Sequence, residues 1–144
     1  MTKTRFMQIL ACLFVLAALV GCASGGAGGA AGPSDEELVN TLLESVTAAL
    51  GAGDIDTMMS YYADDFVDNQ GQDKAAMTAF LSGAKEQGFL EGMEIDNSGR
   101  TVTIEGDSAT VDGVGLSGAF GVLNLGFKLA KRDGTWIVTE QSQE

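Results

Sequence analysis

Histidine is absent from this chain of 144 residues, and that absence limits the chemistry open to the protein. Without histidine, the sequence lacks the usual general base of hydrolases and the commonest ligand of zinc. Catalytic triads of the Ser-His-Asp type, Cys-His pairs and histidine-based metal sites are therefore excluded.

Cysteine is nearly as scarce, since the chain has only Cys12 and Cys22, both near its amino terminus. The chain begins with basic residues, continues through the apolar run "ILACLFVLAALV" and then reaches Gly21. Basic, apolar and small residues in this order are typical of a signal peptide. The apolar run is shorter than the roughly 20 residues that span a bilayer. Residues 1–21 are therefore predicted to be a signal peptide.

Cys22 stands where the apolar run gives way to glycine, in the stretch "LVGC". This stretch resembles the lipobox of bacterial lipoproteins. The resemblance implies that Cys22 becomes the amino terminus and carries the several acyl chains that stable anchoring to a lipid bilayer requires. Ala23 in the next position implies sorting to the outer membrane, with the protein facing the periplasm. An ordinary secretory signal with a chance cysteine is the alternative interpretation.

Basic side chains are also few, with 8 lysines and arginines against 20 acidic residues and a net charge of −12. Removal of the two basic residues Lys3 and Arg5 with the signal peptide would lower the net charge to −14. Nucleic-acid binding normally requires a basic surface, so a nucleic-acid partner is not expected. A solvated acidic surface that favours solubility is the simpler interpretation.

The segment that follows Cys22, "ASGGAGGAAGP", contains no side chain large enough to pack into a core. Residues 22–33 are therefore predicted to be a flexible tether. Residues 34–144 have the length of one small domain with a single core.

Three helices are predicted at the start of that domain. Ser34 and Glu37 in "SDEE" match a capping box for the first helix, which ends at glycines 51 and 53. Asp54 is placed to cap a short second helix, "IDTMMSYYA", and Asp73 a third that ends at Gly88. Helical spacing places four apolar residues of the third helix on one face: Met77, Phe80, Leu81 and Ala84.

From Glu91 onward, apolar residues recur with a period of two, which predicts strands. Tight turns are expected at Gly106 and at Asp133-Gly134. Helices followed by antiparallel strands predict an α+β fold. Glycines at 113, 115, 118, 121 and 126 indicate bulges that curl the sheet around a pocket.

This order of elements resembles the NTF2-like superfamily, in its SnoaL-like and ketosteroid-isomerase-like branch. The stretch "AALGAGDIDTMMSYYADDF" is similar to the helix, helix and strand passage of that family, and "DGTWIV" to its final hairpin. The resemblance covers about Ser34 to Gln141. It implies a cone of three N-terminal helices packed on a curved antiparallel sheet around an apolar pocket, often in a homodimer. The activity stays open, because this fold hosts enzymes and non-catalytic binding modules alike.

The isomerases of this branch use two oxyanion donors and a carboxylate base. The resemblance places Val46 and Leu125 at the donor positions and Asp68 at the position of the base. Neither valine nor leucine can donate a side-chain hydrogen bond. The electrostatic stabilisation that usually contributes most to such catalysis would therefore be missing.

Four aspartates, Asp64, Asp65, Asp68 and Asp73, lie within ten residues of one another. They could bind calcium or supply a base, but their spacing does not match a calcium-binding loop. A solvated acidic turn is the favoured interpretation, and no metal or cofactor is predicted. Tyr62 could donate a phenol hydrogen bond in a pocket. More simply, one of the adjacent tyrosines packs in the core while the other reaches solvent.

Three functions remain open. The leading hypothesis is an anchored module without catalysis that binds a small apolar ligand or an envelope protein. The second is a SnoaL-like enzyme of the isomerase or hydrolase class, with Asp68 or Asp65 as base and Tyr62 as hydrogen-bond donor. A raised aspartate pKa inside a cavity would favour the enzyme, and full exposure of the aspartates would oppose it. The third is a structural role through a sheet-mediated homodimer, which an exposed apolar sheet face would support.

Overall fold

The structure is a computed structural model and describes residues 32–143. The predicted signal peptide, Cys22 and most of the predicted tether lie outside the described residues. Three helices and six strands form the described part of the chain. The helices are α1 (Asp35–Gly51), α2 (Ile55–Ser60) and α3 (Lys74–Glu86). The strands are β1 (Tyr62–Asp68), β2 (Glu94–Asp96), β3 (Thr101–Glu105), β4 (Ser108–Gly118), β5 (Gly121–Arg132) and β6 (Thr135–Gln143).

Helix α1 begins with the predicted capping box. The Ser34 hydroxyl accepts a hydrogen bond from the Glu37 backbone N–H at 3.2 Å, and the Glu37 carboxylate accepts one from the Ser34 N–H at 2.7 Å. Two otherwise unpaired amide donors at the start of the helix are satisfied in this way. One face of α1 is buried in the core through Val39, Leu43 and Val46.

Helices α2 and α3 begin at the predicted caps, with Asp54 accepting from the Thr57 N–H and Asp73 from the Ala76 N–H. Helix α2 is shorter than predicted, because it ends at Ser60 and the chain enters β1 at Tyr62. The Tyr61 carbonyl accepts a hydrogen bond from the Val138 N–H at 2.9 Å. Sheet pairing with β6 therefore takes the chain out of the helix.

The strands form one sheet in the order β1-β6-β5-β4-β2, and β3 pairs with the first half of β4. All the pairs are antiparallel except β1 with β6, which is parallel, so the sheet is mixed. The predicted turns are present at Gly106, which has a φ of 62°, and at Asp133-Gly134. The register between β4 and β5 shifts between Val111 and Val114, which places a bulge at Gly113 as predicted.

The core lies between the three helices and the inner face of the sheet. Its largest fully buried side chains include Tyr62 and Phe66 of β1, whose rings meet edge to face with centroids 4.9 Å apart. Trp136 on β6 is buried, and its indole N–H donates to Asp35 at 3.1 Å. Within residues 32–143, none of the helices has the length and apolar character needed to cross a membrane.

Candidate functional site

An apolar cavity of about 530 Å³ lies between the helices and the inner face of the sheet. One wall is formed by α3 and the C-terminal end of α1, another by the loop after α3, and the floor by β4, β5 and β6. Its volume is in the range of sites for small ligands. The apolar lining includes Leu50, Met58, Met77, Phe80, Leu81, Ala84, Phe89, Leu90, Met93, Leu116, Phe120, Leu123 and Leu125.

The cavity opens to solvent past two phenylalanines. Phe80 on α3 is 59% exposed and Phe89 in the following loop is 42% exposed, although both line the cavity. Large apolar side chains left in water near one another commonly mark a binding site. The helical spacing of α3 predicted Phe80 on its apolar face, and the structure places it at the mouth of the cavity rather than in the core.

Polar groups in the lining are three glutamines, Gln87, Gln141 and Gln143. Gln141 on β6 is only 6% exposed, and its side-chain oxygen accepts a hydrogen bond of 2.7 Å from the Tyr62 hydroxyl. Among the described residues, the lining contains no ionisable side chain. The cavity is therefore an uncharged site with a small polar patch.

Sequence reasoning missed Gln141, and the reason is a bulge. Trp136 and Val138 face the core, so strict alternation along β6 would place Glu140 on the inner face. Lys128 of β5 pairs with Glu140 of β6, and the next residue of β5, Leu129, pairs with Val138. Thr139 is therefore an extra residue in β6 and forms a bulge. The extra residue turns Glu140 outward and Gln141 inward.

The candidate base Asp65 does not line the cavity. Its carboxylate forms two hydrogen bonds with the Arg132 guanidinium, at 2.7 and 2.9 Å, on an exposed part of the surface. The hydrogen bonds from Arg132 lower the pKa of Asp65, so this carboxyl is ionised and paired at neutral pH. A general base for an apolar substrate would need the opposite environment.

Asp68, the other candidate base, also lies outside the cavity lining. One of its oxygens accepts hydrogen bonds from the backbone N–H groups of Gln70 at 2.8 Å and Gln72 at 2.7 Å. Asp68 therefore holds the turn between β1 and α3, which is a frequent role of aspartate. Within residues 32–143, no three side chains of the metal-binding types come together in a way that could hold a metal ion.

Tyr62, the candidate donor, is buried in the core, while Tyr61 is half-buried. Burial raises the pKa of the Tyr62 hydroxyl, so the phenol is protonated throughout the physiological range. The structure does not bring Tyr62 together with Asp65 or Asp68, since its hydroxyl donates to Gln141. Val46 and Leu125, at the positions of the isomerase donors, are both buried, and Leu125 lines the cavity.

The outer face of the sheet is polar where β4, β5 and β6 run side by side. Thr110, Lys128 and Glu140 are exposed there, and the Lys128 ammonium lies 2.6 Å from the Glu140 carboxylate. The exposed apolar sheet face that would support a sheet-mediated dimer is not present at these three positions.

No protein-family profile matches this chain significantly, and neither does any curated protein sequence. Solved structures do match it. An NTF2-like protein from Cytophaga hutchinsonii superposes with a TM-score of 0.58 at 16% identity, over 77% of this chain and 98% of the other. An NTF2-like protein of unknown function from Pseudomonas putida superposes with a TM-score of 0.61 at 20% identity, over 78% and 89% of the two chains.

A third structure, provisionally named a scytalone dehydratase and from Novosphingobium aromaticivorans, gives a TM-score of 0.63 at 15% identity over 76% of this chain and 82% of that one. These likenesses confirm the predicted α+β architecture. The described domain has an NTF2-like fold.

Proposed function

We propose that this chain is a lipid-anchored protein of the bacterial cell envelope whose NTF2-like domain binds a small apolar molecule without converting it. The observation that carries the proposal is the cavity of about 530 Å³, which is apolar apart from three glutamines. Transfer of apolar surface from water into such a cavity drives binding.

The positions of the candidate catalytic groups favour binding over catalysis. Proton abstraction requires a base within hydrogen-bond reach of the substrate. Asp65 is paired with Arg132 on the surface, Asp68 holds a turn, and neither belongs to the cavity lining. A substrate in the cavity would therefore lack the carboxylate that the enzyme hypothesis assigns to it.

Helix α1 separates the start of the described domain from the cavity. Asp35, the first residue of α1, contacts Lys131 and Trp136 at one end of the sheet. Leu50, at the other end of the same helix, lines the cavity. A helix of 17 residues separates its ends by about 25 Å. The start of α1 therefore lies away from the cavity.

The cavity is tested with N-phenyl-1-naphthylamine, an uncharged probe whose fluorescence rises in apolar surroundings. The protein is residues 22–144 with Cys22→Ser, which lacks the predicted signal peptide and acylation site and retains every described residue. We expect saturable binding of one probe per chain. Ala84→Phe places a ring in the cavity and should raise the Kd at least about tenfold. Ala75→Phe, on an exposed position of the same helix α3, is the matched control and should leave the Kd unchanged.

Two results would contradict the binding proposal. The first is the absence of saturable binding by the unsubstituted cavity. The second is an equal Kd for the variants at positions 84 and 75, because the probe would then bind elsewhere on the surface.

The anchor is tested by metabolic labelling of bacterial cells with a fatty acid. Because the lipobox resemblance assigns acylation to Cys22, Cys22→Ser should abolish labelling of the protein. Cys12→Ser lies in the predicted signal peptide and should leave the labelling intact. Labelling that persists in Cys22→Ser would refute the proposed anchor while leaving the binding proposal untouched.

A further inference from the structure

The hydrogen-bonded pair Tyr62-Gln141 places a buried side-chain amide at the wall of the apolar cavity. A side-chain amide has one oxygen acceptor and two N–H donors. The oxygen of Gln141 accepts the hydrogen bond of 2.7 Å from Tyr62, which is itself fully buried and not part of the lining. Because the oxygen already accepts from Tyr62, the amide nitrogen is the polar atom that Gln141 has available for a ligand in the cavity that it lines.

The amide nitrogen of Gln141 has no hydrogen-bond acceptor among the described residues. Gln141 is more than nine-tenths buried as a residue, but its amide nitrogen is not one of the fully buried unpartnered atoms of residues 32–143, so a molecule in the cavity can reach it. In the empty cavity this donor can pair only with water, and a ligand must supply an acceptor in its place, because displacing that water without one loses a hydrogen bond. The Tyr62 hydroxyl keeps its proton at physiological pH, so it remains able to donate to the Gln141 oxygen throughout that range.

The charge of the cavity restricts the ligand further. An anionic ligand would bring a carboxylate into an apolar space whose described lining offers no cation to pair with it. The net charge of −12 adds a second unfavourable contribution for any anion. A neutral oxygen acceptor, such as the carbonyl of a ketone, ester or amide, avoids both unfavourable contributions and can still accept the hydrogen bond.

We propose that Gln141 donates a hydrogen bond from its amide nitrogen to the neutral carbonyl oxygen of an otherwise apolar ligand, with Tyr62 as the positioning residue that orients the amide. This inference rests on the proposed binding function and names its ligand class. It predicts that the cavity binds neutral carbonyl compounds more tightly than hydrocarbons or fatty acids.

The test measures three compounds of similar shape by equilibrium dialysis against residues 22–144 with Cys22→Ser. The compounds are 2-ethylnaphthalene, which has no acceptor, 2-acetylnaphthalene, which has a neutral carbonyl, and 2-naphthoate, which is an anion. We expect the ketone to bind about tenfold more tightly than the hydrocarbon, as one buried hydrogen bond allows. The anion should bind more weakly than both.

Three variants test which residues cause the preference for the ketone. Gln141→Leu should abolish the preference for the ketone and leave the affinity for the hydrocarbon intact. Tyr62→Phe should reduce the ketone preference, because the amide is then free to turn. If Tyr62 had a purely structural role, the ratio of the affinities for the ketone and the hydrocarbon would stay unchanged. The double variant Tyr62→Phe with Gln141→Leu removes both polar partners, so neither is left unpaired in the core. It should stay folded and show no ketone preference.

The outcomes separate the two proposals. Equal affinities for the ketone and the hydrocarbon in the unsubstituted cavity, or a ketone preference that survives in the double variant, would overturn the role of Gln141 alone. Tighter binding of 2-naphthoate than of the ketone would overturn the assignment to neutral ligands. If none of the three compounds binds, and the naphthylamine probe does not bind either, the proposed function itself fails.

Discussion

Alanine in place of Gly113 is expected to lower the free energy of unfolding by about 2 to 5 kcal/mol, because two unfavourable effects add at this residue. Gly113 has a φ of 79°, a conformation that side chains disfavour by about 1–2 kcal/mol. A Cβ atom there would also lie 2.5 Å from the backbone oxygen of Gly99. A backbone oxygen cannot turn away as a side chain can, so the loop or the bulge must move.

Gly106→Ala is the matched control for this prediction. Gly106 has a φ of 62° in the turn between β3 and β4, and a Cβ atom there would meet no other atom within 4 Å. Gly106→Ala therefore has the same kind of backbone strain as Gly113→Ala but no contact of the new Cβ atom with a backbone oxygen. Urea denaturation should therefore show a cost of only about 1–2 kcal/mol for Gly106→Ala. Equal costs for the two variants would mean that the contact with Gly99 relaxes freely.

Gly113 also determines the shape of the site. Its bulge shifts the register between β4 and β5, and residues on either side of the shift face the core or the cavity. Leu116, three residues after Gly113, lines the cavity together with Leu125 of the neighbouring strand. A side chain at position 113 would disturb the strand that forms part of the cavity floor. Loss of probe binding in Gly113→Ala is therefore expected to accompany the loss of stability.

The local features of this fold could be predicted from the sequence, because each depends on residues close together in the chain. Ser34, Asp54 and Asp73 all cap helices as expected, since an N-cap requires only an acceptor side chain within three residues of the helix amides. The turns at Gly106 and Asp133-Gly134 are present for a similar reason, because glycine tolerates a positive φ. Local chemistry thus specifies where the elements begin and turn.

The non-local features could not be predicted in the same way. The parallel pairing of β1 with β6 joins Tyr62 to Val138, and no local pattern indicates that partnership. The extra residue at Thr139 reverses the alternation of β6, so the side chain that reaches the cavity is Gln141 rather than Glu140. A glutamate at the inner face would have made the cavity acidic. One bulge therefore decides the electrostatic character of the candidate site.

The acidic cluster shows why residue type alone does not identify a site. Asp64, Asp65, Asp68 and Asp73 are close in sequence, but each has a different partner in the structure. Alternation along β1 and the turn that follows direct them to separate positions. Two of the carboxylates form ion pairs, one accepts hydrogen bonds within a turn, and one caps a helix. The cluster is a set of structural contacts, and the cavity lies elsewhere.

Replacement of Phe66 by alanine is expected to cost about 3–5 kcal/mol of stability, the range for removal of a buried aromatic side chain. Phe66 is fully buried on β1, and its ring packs edge to face against Tyr62. Its removal leaves a cavity in the centre of the core and withdraws a contact that positions Tyr62. Domains of this size have stabilities of roughly 5–15 kcal/mol, so the loss is a large fraction of the total.

Phe80→Ala is the matched control, because it removes the same ring from the mouth of the cavity. Phe80 is 59% exposed, so the variant should change the free energy of unfolding by no more than about 0.5 kcal/mol. Its ring lines the cavity, however, and its loss should weaken binding of the naphthylamine probe. Urea denaturation and probe titration of both variants would separate the two roles. A large loss of stability in Phe80→Ala, with unchanged probe affinity, would place Phe80 in the core and contradict the position assigned to the ligand.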